Sequence, residues 1–219
     1  MAKKRIDRDK IINAFLTCAF EKSAGAVSLA DIAALLDVNK ASLYNHFSSR
    51  DEIYEAAIDL CAQYMAYVHF ISEPYNTPQP SIAASFDDAL SHIIVQYFRS
   101  YELEPLFYMH TFIHSNKFFS KKAADAAQNE TQKIADGMTA LIVRFYGSVD
   151  ASLENTQTLQ QRAHFFAHAL CAQLNEYIVH KKEMIRLNPE SGAGSLFALP
   201  SDDAALANIV VSATQYWNA

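Results

Sequence analysis

The chain of 219 residues is poor in the residues that build small disulfide-bonded or zinc-bound domains, with three cysteines, five glycines and one tryptophan. Cys18, Cys61 and Cys171 are widely spaced and form no Cys-x-x-Cys pair. Neither a disulfide framework nor a zinc finger is therefore indicated. An odd, unpaired set of cysteines is typical of a reducing compartment, and we expect a cytoplasmic protein.

Other features that the sequence lacks reduce the number of possible functions. No run of about 18 apolar residues is available to span a membrane, and the N-terminus lacks the apolar segment of a signal peptide. The sequence also contains no Gly-x-Ser-x-Gly, Walker, Gly-x-Gly-x-x-Gly or His-Glu-x-x-His motif. We expect a protein that is not an enzyme, carries no cofactor and has no membrane partner.

The composition favours an all-α globular protein, because 51% of the residues are hydrophobic and glycine is scarce. The net charge of −6 is unevenly distributed: residues 1–50 hold eight Lys and Arg against five Asp and Glu. A basic cluster opens the chain and suits an arm lying along DNA phosphates, the alternative being a solvated tail. Its members are Lys3, Lys4, Arg5, Arg8 and Lys10.

Residues 28–47 have the pattern of two short helices joined by a tight turn. Ser28 is a good N-cap, and Asp31 places negative charge in the first turn of the helix. Leu29, Ile32 and Leu36 then recur on one face. Asp37 tolerates the left-handed backbone that a turn needs, so the first helix can end there.

A second helix is predicted over about residues 39–46, with Asn39 as its cap and Leu43 and Phe47 facing inward. Its outer face carries side chains that can enter a major groove. The candidates for reading bases are Lys40, Ala41 and Asn45, and those for contacting phosphates are Ser42, Tyr44 and His46. The alternative is that both helices belong to an ordinary helical core.

These residues resemble the tetracycline-repressor (TetR) family, whose motif is Thr/Ser-Val-x-x-Ile-Ala followed by Gly-Val-x-x-x-x-Leu-Tyr-x-His/Tyr-Phe. Residues 28–33 and 38–47 fit it, apart from Asp37 in place of the usual Gly. Arg50 stands for the Lys that in the family touches phosphate. The resemblance implies that residues 1–54 form a three-helix DNA-binding domain containing the helix-turn-helix, and that 55–219 form a helical effector-binding and dimerisation domain. The implied DNA-binding residues are Ser28, Asn39, Lys40, Ala41, Ser42, Tyr44, Asn45, His46, Arg50, Lys3, Lys4 and Arg5.

Apolar periodicity predicts further helices on both sides of the motif. One begins at Asp9 and ends near Ser23–Gly25, and another runs from Asp51 to about Phe70. A loop with three prolines follows at residues 72–80. Five more helices are predicted over 81–101, 105–116, 120–146, 156–186 and 201–217.

Family resemblance also implies a ligand cavity in the second domain. The predicted lining residues are aromatic or histidine side chains, namely Tyr64, Tyr67, Tyr101, Phe107, His110, His114, His164 and His168. Aromatic lining suits a flat or apolar ligand, although such residues are also ordinary core. The two His pairs at i, i+4 could chelate a metal, but we expect pocket polarity and no metal.

These observations predict a DNA-binding repressor that a small aromatic or apolar effector releases from its operator. Its partners would be double-stranded DNA carrying an inverted repeat, the effector, and a second copy bound through the two C-terminal helices. The alternative is a TetR-like protein that binds DNA architecturally without a small effector.

Overall fold

The computed structural model describes residues 6–71, 85–146, 153–188 and 200–218, and within these ranges every regular element is a helix. The helices are α1 (Arg8–Lys22), α2 (Leu29–Leu36), α3 (Lys40–Leu43), α4 (Arg50–Ala66), α5 (Phe86–Ser100), α6 (Leu106–Asn116), α7 (Lys121–Tyr146), α8 (Leu153–Leu187) and α9 (Asp203–Asn218), with a short 3-10 turn at Ala24–Ala26. The predicted all-α class is confirmed. Among the described residues, no helix combines the length and the apolarity that a membrane span requires.

The chain divides into two compact units. The first unit comprises residues up to Tyr67 together with Pro105–Ala127, and the second comprises Val68–Glu104 and Gln128–Ala219. Residues 105–127 therefore pack with the N-terminal helices. The predicted domain boundary between residues 54 and 55 places them in the second domain instead. That division is what the family resemblance implies, and it stays a prediction.

The first unit has a core that contains aromatic rings from α1, α4 and α6. Phe15 is fully buried and meets Tyr54 and Phe112 edge-on, at ring-centroid distances of 6.4 and 5.8 Å. Phe20 packs on Phe107 at 5.1 Å. Because α6 supplies Phe107 and Phe112, it completes the layer behind the N-terminal helices.

In the second unit, α5 contacts α9, and α8 also contacts α9. Apolar side chains recur on one face of each helix, as in Leu90, Ile94 and Phe98 of α5, which are fully buried. At Gly137 of α7 the neighbours approach closely, since an added Cβ would lie 3.1 Å from Phe70 Cδ1 and 3.2 Å from Ile71 Cγ1. A side chain at this position would require Phe70 and Ile71 to shift by a few tenths of an ångström.

Several predicted boundaries shift. The helix predicted to reach Phe70 ends at Ala66, where Tyr67 N–H turns back to the carbonyls of Tyr64 and Met65. α5 begins at Phe86 because Ser85 caps it, its hydroxyl accepting from Asp88 N–H at 3.1 Å. The predicted loop at 72–80 and the start of that helix at 81–84 lie outside the described residues.

Candidate nucleic-acid interface

The first helix of the predicted motif begins in a reciprocal capping box. Ser28 Oγ accepts from Asp31 N–H at 3.3 Å, while Asp31 Oδ2 accepts from Ser28 N–H at 2.7 Å. Lys22 Nζ lies 2.6 Å from Asp31 Oδ1. The Lys22 ammonium, with the Ser28 donors, holds the pKa of the Asp31 carboxyl far below its usual value. The start of α2 is thereby tied to the end of α1.

The turn between α2 and α3 uses one left-handed residue. Asp37 has φ 54° and ψ 50°, and its N–H bonds back to α2 carbonyls. Two residues later the Asn39 side chain accepts from Ala41 N–H at 2.9 Å and caps α3. The chain therefore reverses within a few residues without glycine, as the sequence predicts.

α3 presents one buried side and one exposed side. Leu43 and Phe47 are 1% and 2% exposed and anchor the helix to the core. The opposite side consists of Lys40, Ala41, Tyr44 and Asn45, all exposed. This exposed set, which we call the reading face, carries an ammonium, a phenol, an amide and a methyl group, the groups that recognise base edges and phosphates.

The helical part of this segment is shorter than the predicted 39–46. Regular α-helix ends at Leu43, and residues 44–46 continue as a tightened turn in which His46 N–H bonds to Leu43 O at 2.9 Å. Such i to i−3 bonds tighten the last turn of many helices. The reading face therefore extends over one helical turn and the bend that follows it.

Arg8 contacts the end of this segment from the start of α1. Its guanidinium donates to the His46 carbonyl, stacks over the Phe47 ring at 3.9 Å from the centroid, and pairs with Glu52 at 3.2 Å. Glu52 Oε2 in turn accepts from Ser48 N–H at 2.7 Å. Sequence reasoning placed Arg8 only in the basic arm, because nothing local links it to partners 38 and 44 positions away.

Arg50 is also engaged within the protein. Its Nε donates to Val27 O at 3.0 Å, and Nη2 donates to Ala24 O. Only 29% of its side chain is exposed. These bonds hold the segment before α2 against the start of α4, and the predicted phosphate contact of Arg50 stays a prediction.

The other predicted DNA-binding residues divide into three groups. Ser28 and Asn39 use their side chains as helix caps. Ser42 and His46 are half-buried at the edge of the reading face. Lys3, Lys4 and Arg5 lie outside the described residues.

The predicted effector-lining residues are divided between the units. In the first unit, Tyr64 and Tyr67 are 42% and 82% exposed, whereas Phe107 is buried on Phe20. His110 is buried, and its ring stacks on that of His114 at 4.1 Å.

In the second unit, Tyr101 is buried and donates to Glu130 Oε1 at 2.5 Å, and its hydroxyl lies 3.0 Å from that of Tyr97. Burial raises the pKa of both tyrosines well above the usual value. His164 and His168 are exposed on α8. Tyr101 is thus the predicted lining residue that this unit places in its interior.

The described residues of the second unit line cavities that include the following two, and neither of these is lined by the predicted residues. One of about 210 Å³ is formed by the end of α8 and the entry to α9, including Tyr177, Lys181, Met184 and Ser201. The other, of about 160 Å³, lies between α8 and α9 beside Phe166, Leu170 and Ile209.

Comparison with known proteins points to one group. Residues 11–57 match the family described as bacterial regulatory proteins, tetR family. The negative transcriptional regulator IcaR of the biofilm operon icaADBC from Staphylococcus aureus is 41% identical over 58 residues, which are 26% of this chain and 31% of that protein. The matching segment thus spans about a third of the curated relatives' length.

Solved structures extend the similarity in fold to nearly the whole chain. A transcriptional regulator from Rhodococcus sp. Rha1 has a TM-score of 0.57 at 14% identity, covering 96% of this chain and 97% of its own. A tetR-family transcriptional regulator from Streptomyces coelicolor has a TM-score of 0.55 at 13% identity, covering 95% of this chain and 79% of its own. At such identities the likeness concerns the fold alone.

Proposed function

We propose that this chain is a tetR-family regulator, a sequence-specific DNA-binding protein that acts as a repressor of transcription, because residues 11–57 match that family and a 58-residue segment is similar to the negative regulator IcaR. The observation that carries the proposal is the reading face, which is formed by α3 and the bend that follows it. Lys40, Tyr44 and Asn45 are exposed, while Leu43 and Phe47 fasten the other side of the segment. A short helix held in this way can enter a major groove.

The roles of these side chains follow from their chemistry. The Asn45 amide can pair with adenine, the Lys40 ammonium with guanine, and the Ala41 methyl can contact thymine. The Tyr44 and Ser42 hydroxyls and the His46 imidazole suit phosphate contacts that set the register. Lys3, Lys4 and Arg5 would add salt-dependent affinity along the backbone.

We assign a homodimer through α8 and α9 to this function. Each helix exposes apolar side chains, among them Phe165 at 66%, Val179 at 67% and Val211 at 51%. Covering such side chains favours association, and a two-fold dimer matches inverted half-sites about 34 to 36 Å apart. Light scattering at micromolar concentration should give twice the mass of the chain, and a monomer would contradict the assignment.

We further assign release from DNA to a small aromatic or apolar effector bound in the C-terminal domain of residues 55–219. The support is the aromatic interior of the second unit, where Tyr97 and Tyr101 pack at 5.0 Å beside the Glu130 carboxylate. Such an effector acts only if it binds the DNA-free shape more tightly, and a factor of about 100 corresponds to roughly 2.7 kcal/mol.

The test of DNA binding is selection of bound fragments from a random-sequence duplex pool at a stated salt concentration. We expect an inverted repeat to be enriched. On that repeat, the double change Lys40→Ala and Tyr44→Ala should lower affinity by about 100-fold or more, because it removes a base contact of Lys40 and a phosphate contact of Tyr44.

A matched control changes Lys121→Ala and Tyr67→Ala, whose side chains are exposed elsewhere in the first unit. This control should bind like wild type. If no sequence is enriched, or if both double variants bind equally well, the proposed function is wrong. With the selected repeat as a probe, aromatic compounds can then be screened for release of the protein from DNA.

A further inference from the structure

The single turn of α3 is too short to orient itself. Forming the first turn of a helix costs conformational entropy for few hydrogen bonds, so an isolated one-turn helix is unstable in water. Asn39 caps its beginning, and Leu43 and Phe47 anchor its inner side. Its end has neither glycine nor a left-handed residue, since Tyr44 has helical φ and ψ. The end of the reading face therefore depends on contacts from other elements.

Arg8 supplies those contacts through two N–H groups and the flat face of its guanidinium. The N–H groups reach the His46 carbonyl and Glu52 Oε1, and the flat face covers the Phe47 ring. His46 and Phe47 directly follow the reading face. A planar, forked cation can make these contacts together, whereas a lysine ammonium offers one point of charge.

Glu52 extends this arrangement to the beginning of α4. Its second oxygen accepts from Ser48 N–H at 2.7 Å and from Ser48 Oγ at 2.8 Å. The Ser48 backbone donor is the main cause of the lowered pKa of the Glu52 carboxyl, with Arg8 contributing. The chain leaving the reading face is thus held at His46, Phe47 and Ser48 by two side chains from α1 and α4, which we call the Arg8–Glu52 clamp.

We infer that Arg8 is a positioning residue for DNA reading, which sets the orientation of the reading face by holding the His46 carbonyl and the Phe47 ring rather than by contacting DNA. The inference rests on the proposed function. The inference goes beyond the proposed function because it gives a charged residue of the basic N-terminus a structural role in the helix-turn-helix motif. The alternative use of Arg8 is a phosphate contact, since its side chain is 51% exposed.

The first experiment needs no DNA. Amide hydrogen exchange is compared between wild type and Arg8→Lys, which keeps the charge but not the fork. Exchange at His46 and Phe47, whose N–H groups bond to Leu43 O, should accelerate by about threefold or more. Amides of α2 should not change. Unchanged exchange at His46 and Phe47 would overturn the inference.

The second experiment separates positioning from phosphate contact on the selected operator. Positioning predicts that Arg8→Lys and Arg8→Gln both weaken binding by about fivefold to tenfold, with the dependence of affinity on salt unchanged. A phosphate contact predicts near-normal binding by Arg8→Lys and a salt slope smaller by about one in Arg8→Gln. The second result would overturn the inference.

A double-mutant cycle that combines Arg8→Gln with Glu52→Gln tests whether the two residues act together. If Arg8 and Glu52 act as one clamp, the double variant should lose less affinity than the product of the two single losses. Losses that multiply independently would count against the clamp. Lys121→Gln serves as the control for loss of one positive charge in the same unit.

These results also distinguish the inference from its premise. A wild-type protein that selects no DNA sequence overturns the proposed function and the role of Arg8 in it. A wild type that selects an operator, combined with an Arg8→Lys variant that binds it normally, overturns the role of Arg8 alone. Far-UV circular dichroism of each variant ensures that lost binding does not reflect lost helix.

Discussion

The polar side chains around α2 and α3 of the first unit differ from those around Glu102 of the second unit in how far away in sequence their partners lie. In the first unit most polar contacts near α2 and α3 join residues close in sequence, as in the Ser28–Asp31 box and the Asn39 cap. In the second unit, Glu102 accepts from Tyr177 and Ser201, which are 75 and 99 positions away. Local contacts can be recognised in a sequence, whereas long-range ones need the fold.

The similarity to known proteins also differs between the N-terminal segment and the rest of the chain. Residues 11–57, where local caps and turns determine the backbone, match a family, and a 58-residue segment of the chain is 41% identical to IcaR. The remaining chain is similar to known structures only in fold. A DNA-reading motif tolerates little change in its turn geometry, while a helical body needs only apolar faces of the correct period.

The largest effect is expected from removing a ring at the centre of either core. Phe15→Ala in the first unit and Phe98→Ala in the second should each lower the free energy of unfolding by about 3 to 5 kcal/mol, since both side chains are fully buried. Urea denaturation followed by circular dichroism measures this. Tyr67→Ala, at an 82% exposed position, should change it by less than about 0.5 kcal/mol. A comparable loss in that control would show that burial does not explain the effect.

The next effect tests the long-range polar contacts of the second unit. Glu102 is 7% exposed and lies 3.5 Å from Lys181, whose side chain is 13% exposed. Glu102→Ala would leave that ammonium and the Ser201 hydroxyl without their carboxylate, at a cost of about 3 kcal/mol.

The matched control for Glu102 is Glu183→Ala, which breaks the exposed pair with Arg186 on the same helix as Lys181. It should leave the urea midpoint nearly unchanged, because exposed ion pairs contribute little. Equal losses in the two variants would remove the distinction between buried and exposed pairs.

A smaller effect is expected at the capping box of the first unit. Ser28→Ala removes the acceptor for Asp31 N–H and should cost about 1 kcal/mol. Ser212→Ala on α9 removes a hydroxyl that bonds within its own helix, and it should cost less. Thermal unfolding of both variants measures the difference, and a larger loss at Ser212 would contradict the assigned importance of the cap.

The smallest effects concern pH, and they have opposite signs for the hydrogen-bonded carboxyls around α2 and α3 and for the buried tyrosines of the second unit. Hydrogen bonds from Lys22 and Ser28 lower the pKa of Asp31, and those from Ser48 and Arg8 lower the pKa of Glu52. Their contribution is complete above the unfolded values of about 3.9 and 4.3, and it is lost as pH falls through the lower folded values. Acid should therefore lower the stability of the first unit.

In the second unit, desolvation raises the pKa values of Tyr97, Tyr101 and Tyr177. Their contribution is complete below the unfolded pKa of about 10 and is lost as pH rises through the folded values. Absorbance titration at alkaline pH should show tyrosines that ionise only on unfolding. Full ionisation of all tyrosines near pH 10 in folded protein would contradict this.

The sequence alone predicted most of the helices, because each carries apolar residues at helical spacing and a visible start or stop. It also predicted the Ser28 cap, the left-handed Asp37 and the exposed set on α3, since these depend on residues no more than a few positions apart. The end of α3 was predicted less well, because tightening after Leu43 has no marker in the side chains.

What only the tertiary structure decided is which distant segments meet. Residues 105–127 join the N-terminal helices through Phe107 and Phe112, although apolar spacing would allow them to pack elsewhere. The sequence assigns phosphate contacts to Arg8 and Arg50, and only the structure shows that both also donate to backbone carbonyls. Periodicity and caps act over one or two helical turns, so they determine where a helix forms. The partners of its side chains are determined by packing of the whole chain.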